Sequence, residues 1–243
     1  MENSLLILLQ LFLAHVVTDF VFQPTSWVID KRAKKGRSIY LYIHSMLAGL
    51  LSWLFLMKLE WWYVAIIISV VHFFIDLWKL NYKRDTLKIF LLDQIFHVGS
   101  IILVWLVLIS GFHYIIPFLK DLFTSQTFLA ILIGYLLVIF PAGFLIGKAT
   151  LRWQGEVEQD LKKTSLDSAG RYIGIFERIL VLTFIITQNF SAIGFLIAAK
   201  SILRFSDKSE IGARKQTEYV LIGTLMSFAI TIIIGFLVRE IAF

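Results

Sequence analysis

Between Leu5 and Ser100, seven histidine and aspartate side chains interrupt the long apolar runs themselves: His15, Asp19, His44, His72, Asp76, Asp93 and His97. They fall in four clusters, and three clusters repeat one internal spacing, i and i+4. On a helix those positions share a face, one turn apart. Each pair therefore aims an imidazole and a carboxylate at one point. In hydrocarbon such groups are expensive unless they are paired or metal-bound. A chain that carries seven of them must bring them together, and no other feature restricts the fold as much.

The runs that carry them have the length of bilayer spans, for which about 18 apolar residues suffice. Eight segments read as spans, at about 4–23, 39–57, 61–80, 87–110, 126–147, 170–188, 190–205 and 217–238. The chain is 58% hydrophobic, with a mean hydropathy of +0.81. A soluble domain has about 45–50% apolar residues. The expected class is an all-α polytopic transmembrane bundle. Residues 1–110 form a four-span His/Asp bundle, and residues 111–243 add four further spans within one membrane domain. The polar segment 148–169, between spans 5 and 6, reads as a surface helix or helical loop at the cytoplasmic face. The first span has no basic lead and no small-residue cleavage site, and it carries His15 and Asp19. It reads as a retained helix rather than a signal peptide.

Charge placement predicts orientation. The connections after spans 1, 3, 5 and 7 hold 18 of the 23 Lys and Arg residues, among them Lys31, Arg32, Arg84, Lys163 and Arg214. The opposite connections hold little beyond Lys58 and Lys120. Under the positive-inside rule the basic loops are cytoplasmic and both termini lie outside. All seven His and Asp residues then fall at one depth, roughly 5–15 Å below the cytoplasmic interface at ~1.5 Å per residue. Four antiparallel neighbours with short loops pack as a bundle, so the seven share one layer.

Imidazole and carboxylate suit Zn²⁺ first, with Fe²⁺ or Mn²⁺ as alternatives. The chain has no cysteine, so thiolate ligands are excluded. Seven candidate ligands, His15, Asp19, His44, His72, Asp76, Asp93 and His97, exceed one tetrahedral site and suit one or two ions. Asp19, Asp76 and Asp93 are also the candidates for a catalytic base. Gln23, Ser45 and Gln94 are near in sequence and suit supporting hydrogen bonds. Other readings of the same layer are a proton or cation pathway, a structural metal, or plain helix–helix hydrogen bonds. His113 lies on the opposite side and reads as a solvated loop residue.

In the second half, Arg171, Arg178, Lys200 and Arg204 are candidates for a cationic wall that binds a phosphate, since arginine makes bidentate phosphate contacts. The alternative is that these charges snorkel or pair among themselves, with Glu177 and Glu218 near by. Gly170 and Gly174 suit close helix contact, and Pro141 suits a kink in span 5.

Several stretches resemble a bacterial membrane family catalogued as domain of unknown function 3307. In the first half they are LAHVVTDFVFQP, IHS, VHFFIDLWKL and LLDQIFHV; in the second, AGRYIGIFERIL, FLIAAKSILRF and EYVLIGTL. The resemblance extends over essentially the whole chain. The first-half motifs are more distantly similar to inner-membrane proteins described as membrane-bound metal-dependent hydrolases, which have His-Ser and His-x-x-x-Asp elements. These resemblances imply a bacterial inner-membrane protein and are consistent with a hydrolase; the depth of the layer and the second-half cations make the expected function a metal-dependent hydrolase acting at the cytoplasmic leaflet on a phosphoester or lipid. The expected partners are membrane lipids, an anionic or phosphate-bearing one as substrate, and no nucleic acid.

Overall fold

The structure is a computed structural model that describes residues 2–82, 86–161, 169–205 and 213–243. Among these residues all regular secondary structure is helical. The chain divides into two compact units, Met1–Pro117 and Phe118–Phe243.

In the first unit, α1 (Glu2–Val16) runs directly into a π-helical turn, Val17–Val21. Sequence spacing predicts a regular helix here. The wider turn is closed by Phe22 N–H donating to Val17 C=O at 2.9 Å, and it contains Asp19. Such insertions re-aim side chains and recur at functional sites. Pro24 then ends the span. The stretch 24–38, expected to be a basic loop, is instead a helix, α2 (Thr25–Lys34), followed by a 3₁₀ turn, Lys35–Arg37. Asp30 accepts from Lys34 one turn on and from the Ser38 hydroxyl at 2.5 Å. The Lys34 ammonium and then the Ser38 hydroxyl hold the Asp30 carboxyl below its ordinary pKa.

Helices α3 (Ile39–Leu56), α4 (Trp62–Lys79) and α5 (Leu87–Leu108) complete the unit. α1 packs on α3 and α5, and α4 packs on the same two, so the four close into a bundle. Each buries one stripe. On α4 it is Val64, Ile68, His72 and Asp76, and on α5 it is Asp93, His97 and Ile101, all at spacing four. On α3 the stripe is small and polar: His44, Ser45, Ala48, Gly49 and Ser52 are buried between Leu41 and Leu56. A Cβ on Gly49 would lie 2.0 Å from the Ala65 carbonyl oxygen, so glycine is what lets α3 and α4 approach so closely. At the other end, Leu11, Ala48, Leu56, Val64, Ile68 and Ile101 form a wholly apolar core. Trp105 pins α5 to the start of α1, its indole N–H donating to Ser4 C=O at 2.6 Å.

Helix α6 (Ile115–Thr124) runs across the boundary between the units and buries no residue. In the second unit, α7 (Gln126–Ile139) breaks before α8 (Pro141–Leu161), where the sequence places a proline kink. Helices α9 (Ala169–Ile186), α10 (Phe190–Phe205) and α11 (Ala213–Ala242) follow. α11 packs on α7, α8 and α9. Thr127 and Gln126 donate to the carbonyls of Ala242 and Ile241, each at 2.7 Å, which ties the start of α7 to the end of α11. The first part of the polar segment 148–169 continues α8 as far as Leu161; residues 162–168 lie outside the described residues.

Many large apolar side chains face outward, including Leu5, Leu9, Leu13, Phe74, Leu103 and Ile133, each more than half exposed. Water is a poor solvent for such a surface and lipid is a good one. Among the described residues, six segments are long and apolar enough to cross a membrane: Ser4–Val21, Ile39–Leu56, Leu59–Lys79, Leu87–Leu108, Gln126–Leu151 and Glu218–Ala242. The other two expected spans also form helices. However, α9 carries Arg171, Glu177 and Arg178 within its 18 residues, and the apolar part of α10 is only Phe190–Ile202.

Candidate metal centre

Asp19 is the hub of the His/Asp layer. Its Oδ1 lies 3.5 Å from His72 Nε2, 3.5 Å from His44 Nε2 and 3.7 Å from His15 Nδ1. Direct hydrogen bonds would be 2.7–3.2 Å long, and these are longer. Two donors sharing one tetrahedral ion at about 2.0–2.2 Å stand roughly 3.3–3.5 Å apart. The spacing is thus that of ligands arranged around a common point. All seven residues meet here, with His72 and His97 ring centroids 4.3 Å apart, His44 and His72 4.8 Å, and His15 and His97 5.2 Å.

Burial sharpens the point. His44, His72, Asp76, Asp93 and His97 are each 5% exposed or less. Buried polar atoms are almost always hydrogen-bonded. Yet Asp19 Oδ1, His44 Nδ1, His72 Nε2, Asp93 Oδ1 and His97 Nε2 have no hydrogen-bond partner, and among the described residues no other buried side-chain atom lacks one. The network also fixes tautomers. His97 Nδ1–H donates to the Asp93 backbone carbonyl at 2.9 Å, which leaves its Nε2 as a bare acceptor inside the layer. Gln94 donates to Asp93 Oδ2 at 3.2 Å, so its carbonyl oxygen accepts from His15 Nε2–H at 3.3 Å. His15 Nδ1 is then the acceptor turned toward Asp19. Gln23 donates to His44 Nε2 at 2.8 Å. Gln94 thus supports His15 as the sequence suggests; Gln23 instead donates to the His44 nitrogen that faces Asp19, and the Ser45 hydroxyl donates to Leu41 C=O on its own helix.

Among the described residues, three groups can each gather ligand atoms within 4.8 Å of one another: His15, Asp19 and His72; His44, His72 and Asp76; and Asp76, Asp93 and His97. The last two include carboxylates that already carry a cation. Lys31 Nζ donates to Asp76 Oδ2 at 2.6 Å, and Lys79 Nζ donates to Asp93 Oδ2 at 2.7 Å. Lys31 is 4% exposed, not a solvated loop residue as its place in a basic run suggests. Sequence reasoning missed both lysines as members of the layer. The available signal was charge balance, since three carboxylates in hydrocarbon call for counter-ions. Among the described residues Asp19 pairs with no lysine, and it is the carboxylate that faces three imidazoles.

The cations of the second unit have other surroundings. Arg178 is buried, and its Nε donates to Val138 C=O at 2.5 Å. Pro141 lacks an N–H, and the α7–α8 break frees carbonyls of the preceding turn. A Cβ on Gly174 or Gly143 would come within 3.1 or 3.2 Å of the guanidinium, so both glycines make room for it. Lys200 donates to Glu177 at 2.6 Å. Arg171 is exposed, and the Arg204 side chain lies outside the described residues, as do Lys83, Arg84, Lys162, Lys163 and Lys208. His113 is exposed and stacks on Tyr114 at 3.9 Å.

No curated protein and no solved structure matches the sequence. The match to a family model is confined to residues 7–123, and so leaves out the second-half stretches AGRYIGIFERIL, FLIAAKSILRF and EYVLIGTL. It contains α2 to α5, nearly all of α1 and every residue of the His/Asp layer. The family whose model matches residues 7–123 is described as protein of unknown function, DUF3307.

Proposed function

We propose that the layer is a divalent transition-metal centre, and that the chain is a metal-dependent hydrolase of the bacterial inner membrane acting on a phosphoester or lipid at the cytoplasmic leaflet. The observation that carries the metal reading is Asp19 Oδ1, buried, without a hydrogen bond and 3.5–3.7 Å from three imidazole nitrogens. His15, Asp19 and His72 would hold the ion, with His97 Nε2 as a further bare acceptor in the layer; the His44 Nε2 lone pair is already taken by Gln23. Nitrogen and oxygen donors without thiolate suit zinc, iron or manganese. Such an ion, where it keeps an open position, activates water and polarises a phosphoryl or carbonyl group. The residues' own part is to hold the geometry. Gln94 and the Asp93 carbonyl set the imidazole tautomers of His15 and His97, as ligand-supporting groups do. Lys31 and Lys79 neutralise Asp76 and Asp93, and the apolar core below the layer excludes water from that side.

Elemental analysis tests this. Protein purified without chelator should carry zinc, iron or manganese at one or two ions per chain. His72→Ala should reduce that content, because even changes to groups outside the ligand set typically cost 10–100-fold in affinity. Hydrolysis of a simple phosphoester should be lost on chelation and return with the same ion. Unchelated protein without transition metal would sink the proposal.

A further inference from the structure

Helix α6 is too short to cross a bilayer. Its ten residues at ~1.5 Å each extend about 15 Å, half of a hydrocarbon core. It is also too closely tethered to leave the bilayer surface. Only Ile109–Tyr114 separate the end of α5 from its start, and Gly111–Tyr114 are coiled into a 3₁₀ turn. Ser125 alone stands between α6 and α7, and it caps α7 by accepting from Phe128 N–H at 3.2 Å. Leu87–Leu108 and Gln126–Leu151 are both long and apolar enough to cross. A chain that leaves one span at Leu108 and enters the next at Gln126 stays on one side in between.

The residues of α6 divide by face. On a helical wheel, Ile115, Ile116, Phe118, Leu119, Leu122 and Phe123 fall on one arc, and Pro117, Lys120, Asp121 and Thr124 on the other. The protein does not cover the apolar arc: α6 buries no residue, and Ile116, Phe118 and Phe123 are 78%, 63% and 61% exposed. Aromatic residues mark the level at which it lies. Lys79, near the end of α4, meets Asp93, near the start of α5, so these helices are antiparallel and the start of α4 is on the side where α5 ends. Trp62 and Tyr63 are exposed at that start, and Tyr114 is exposed just before α6. Trp and Tyr collect at membrane–water interfaces. Lys120 and Asp121 are the only charges of α6, and they cancel. Basic interfacial helices gain from anionic lipid; this helix has no net charge with which to do so.

We propose that α6 is an interfacial helix. It lies along the bilayer surface farther from the His/Asp layer, with its apolar arc among the acyl chains, and its partner is lipid of any headgroup charge. This owes nothing to the metal reading.

The test uses the full chain in lipid nanodiscs. The protein has no cysteine, so nitroxide labels can be placed singly at Ile116→Cys, Leu119→Cys, Lys120→Cys, Asp121→Cys, Phe123→Cys and Thr124→Cys. All six positions are exposed, so the substitutions leave packing intact. Collisions with oxygen, which enters lipid, are compared with collisions with a nickel chelate, which stays in water. The logarithm of the oxygen-to-nickel ratio should be positive at 116, 119 and 123 and negative at 120, 121 and 124, following the helical repeat of 3.6 residues. The same pattern is expected in phosphatidylcholine alone and in a mixture with phosphatidylglycerol. Nickel-favoured collisions at all six positions would overturn the proposal, placing α6 in water. Shielding of 116, 119 and 123 from both reagents would also overturn it, because protein would then cover the arc; dipolar broadening between labels would identify the cover as a second copy. A lipid pattern that needs phosphatidylglycerol would overturn the indifference to headgroup charge.

Discussion

Lys31 and Asp76 are 45 positions apart, yet their side chains meet at 2.6 Å with both residues buried. The contact joins α2, a helix in the connection between two spans, to the polar stripe of α4. It places an ammonium in the layer from which the histidines and aspartates could recruit only one another. It also explains why α2 is folded at all. A ten-residue helix is marginal alone, and this one is held by what it docks against.

Removing one member of a buried pair leaves an uncompensated charge, which typically costs about 3–5 kcal/mol. Lys31→Met should therefore lower the thermal unfolding temperature in detergent markedly. Lys31→Met combined with Asp76→Leu should recover most of that loss, because apolar replacement of a whole buried pair is often neutral. Single and double variants that unfold together at the wild-type temperature would show that the pair is not a buried one.

The three aspartates should not be equal as metal ligands. Asp76 and Asp93 each share an oxygen with a lysine, while Asp19 faces imidazoles alone. Asp19→Asn should lose more metal than Asp93→Asn, by about tenfold or more in affinity. His113→Ala, outside the layer, should retain full content. Equal loss from Asp19→Asn and Asp93→Asn, measured by competition with a chromogenic chelator, would place the ion nearer His97 instead.

Two glycines offer a matched pair for helix packing. A Cβ on Gly49 would collide with the Ala65 carbonyl, whereas one on Gly99 would meet nothing within 4 Å. Gly49→Ala should destabilise by about 1–3 kcal/mol through overpacking. Gly99→Ala should be neutral or stabilising by up to ~1 kcal/mol, from helix propensity. Denaturation in mixed detergent micelles ranks the two, and the reverse order would refute the close α3–α4 approach.

Arg178 holds the α7–α8 break through Val138 C=O. Arg178→Leu leaves that carbonyl without its donor, a loss of about 1–3 kcal/mol, while Arg178→Lys should restore part of it. Equal unfolding temperatures for the wild type and Arg178→Leu in detergent would show that the Val138 contact carries no stability.

Orientation can be read from single cysteines, because the chain has none of its own. Ala33→Cys, in α2, and Glu60→Cys, in the turn before α4, lie on opposite connections and are both exposed. Under the positive-inside rule, an impermeant maleimide added to intact cells should label Glu60→Cys and leave Ala33→Cys unmodified until the membrane is opened. The opposite pattern would move the layer to the outer leaflet.

Composition and spacing were enough to establish that the chain is helical, that its long apolar segments match bilayer thickness, and that His15, Asp19, His44, His72, Asp76, Asp93 and His97 gather in one layer. These follow from local regularities: a helix repeats every 3.6 residues, so i and i+4 share a face wherever a helix forms. The break at Pro141 was readable for the same reason, since a missing N–H acts within one turn. What the sequence could not decide depends on contacts between distant positions. The π turn that carries Asp19 has no signature in VTDFV. The charges of Lys31 and Lys79 look like loop charges until α2 and α4 deliver them to Asp76 and Asp93. Arg178 looks like an anion-binding residue until Val138 and two glycines are placed around it. In each case the role of a charge is set by which partner its backbone brings within about 3 Å, and only the packed helices supply that distance.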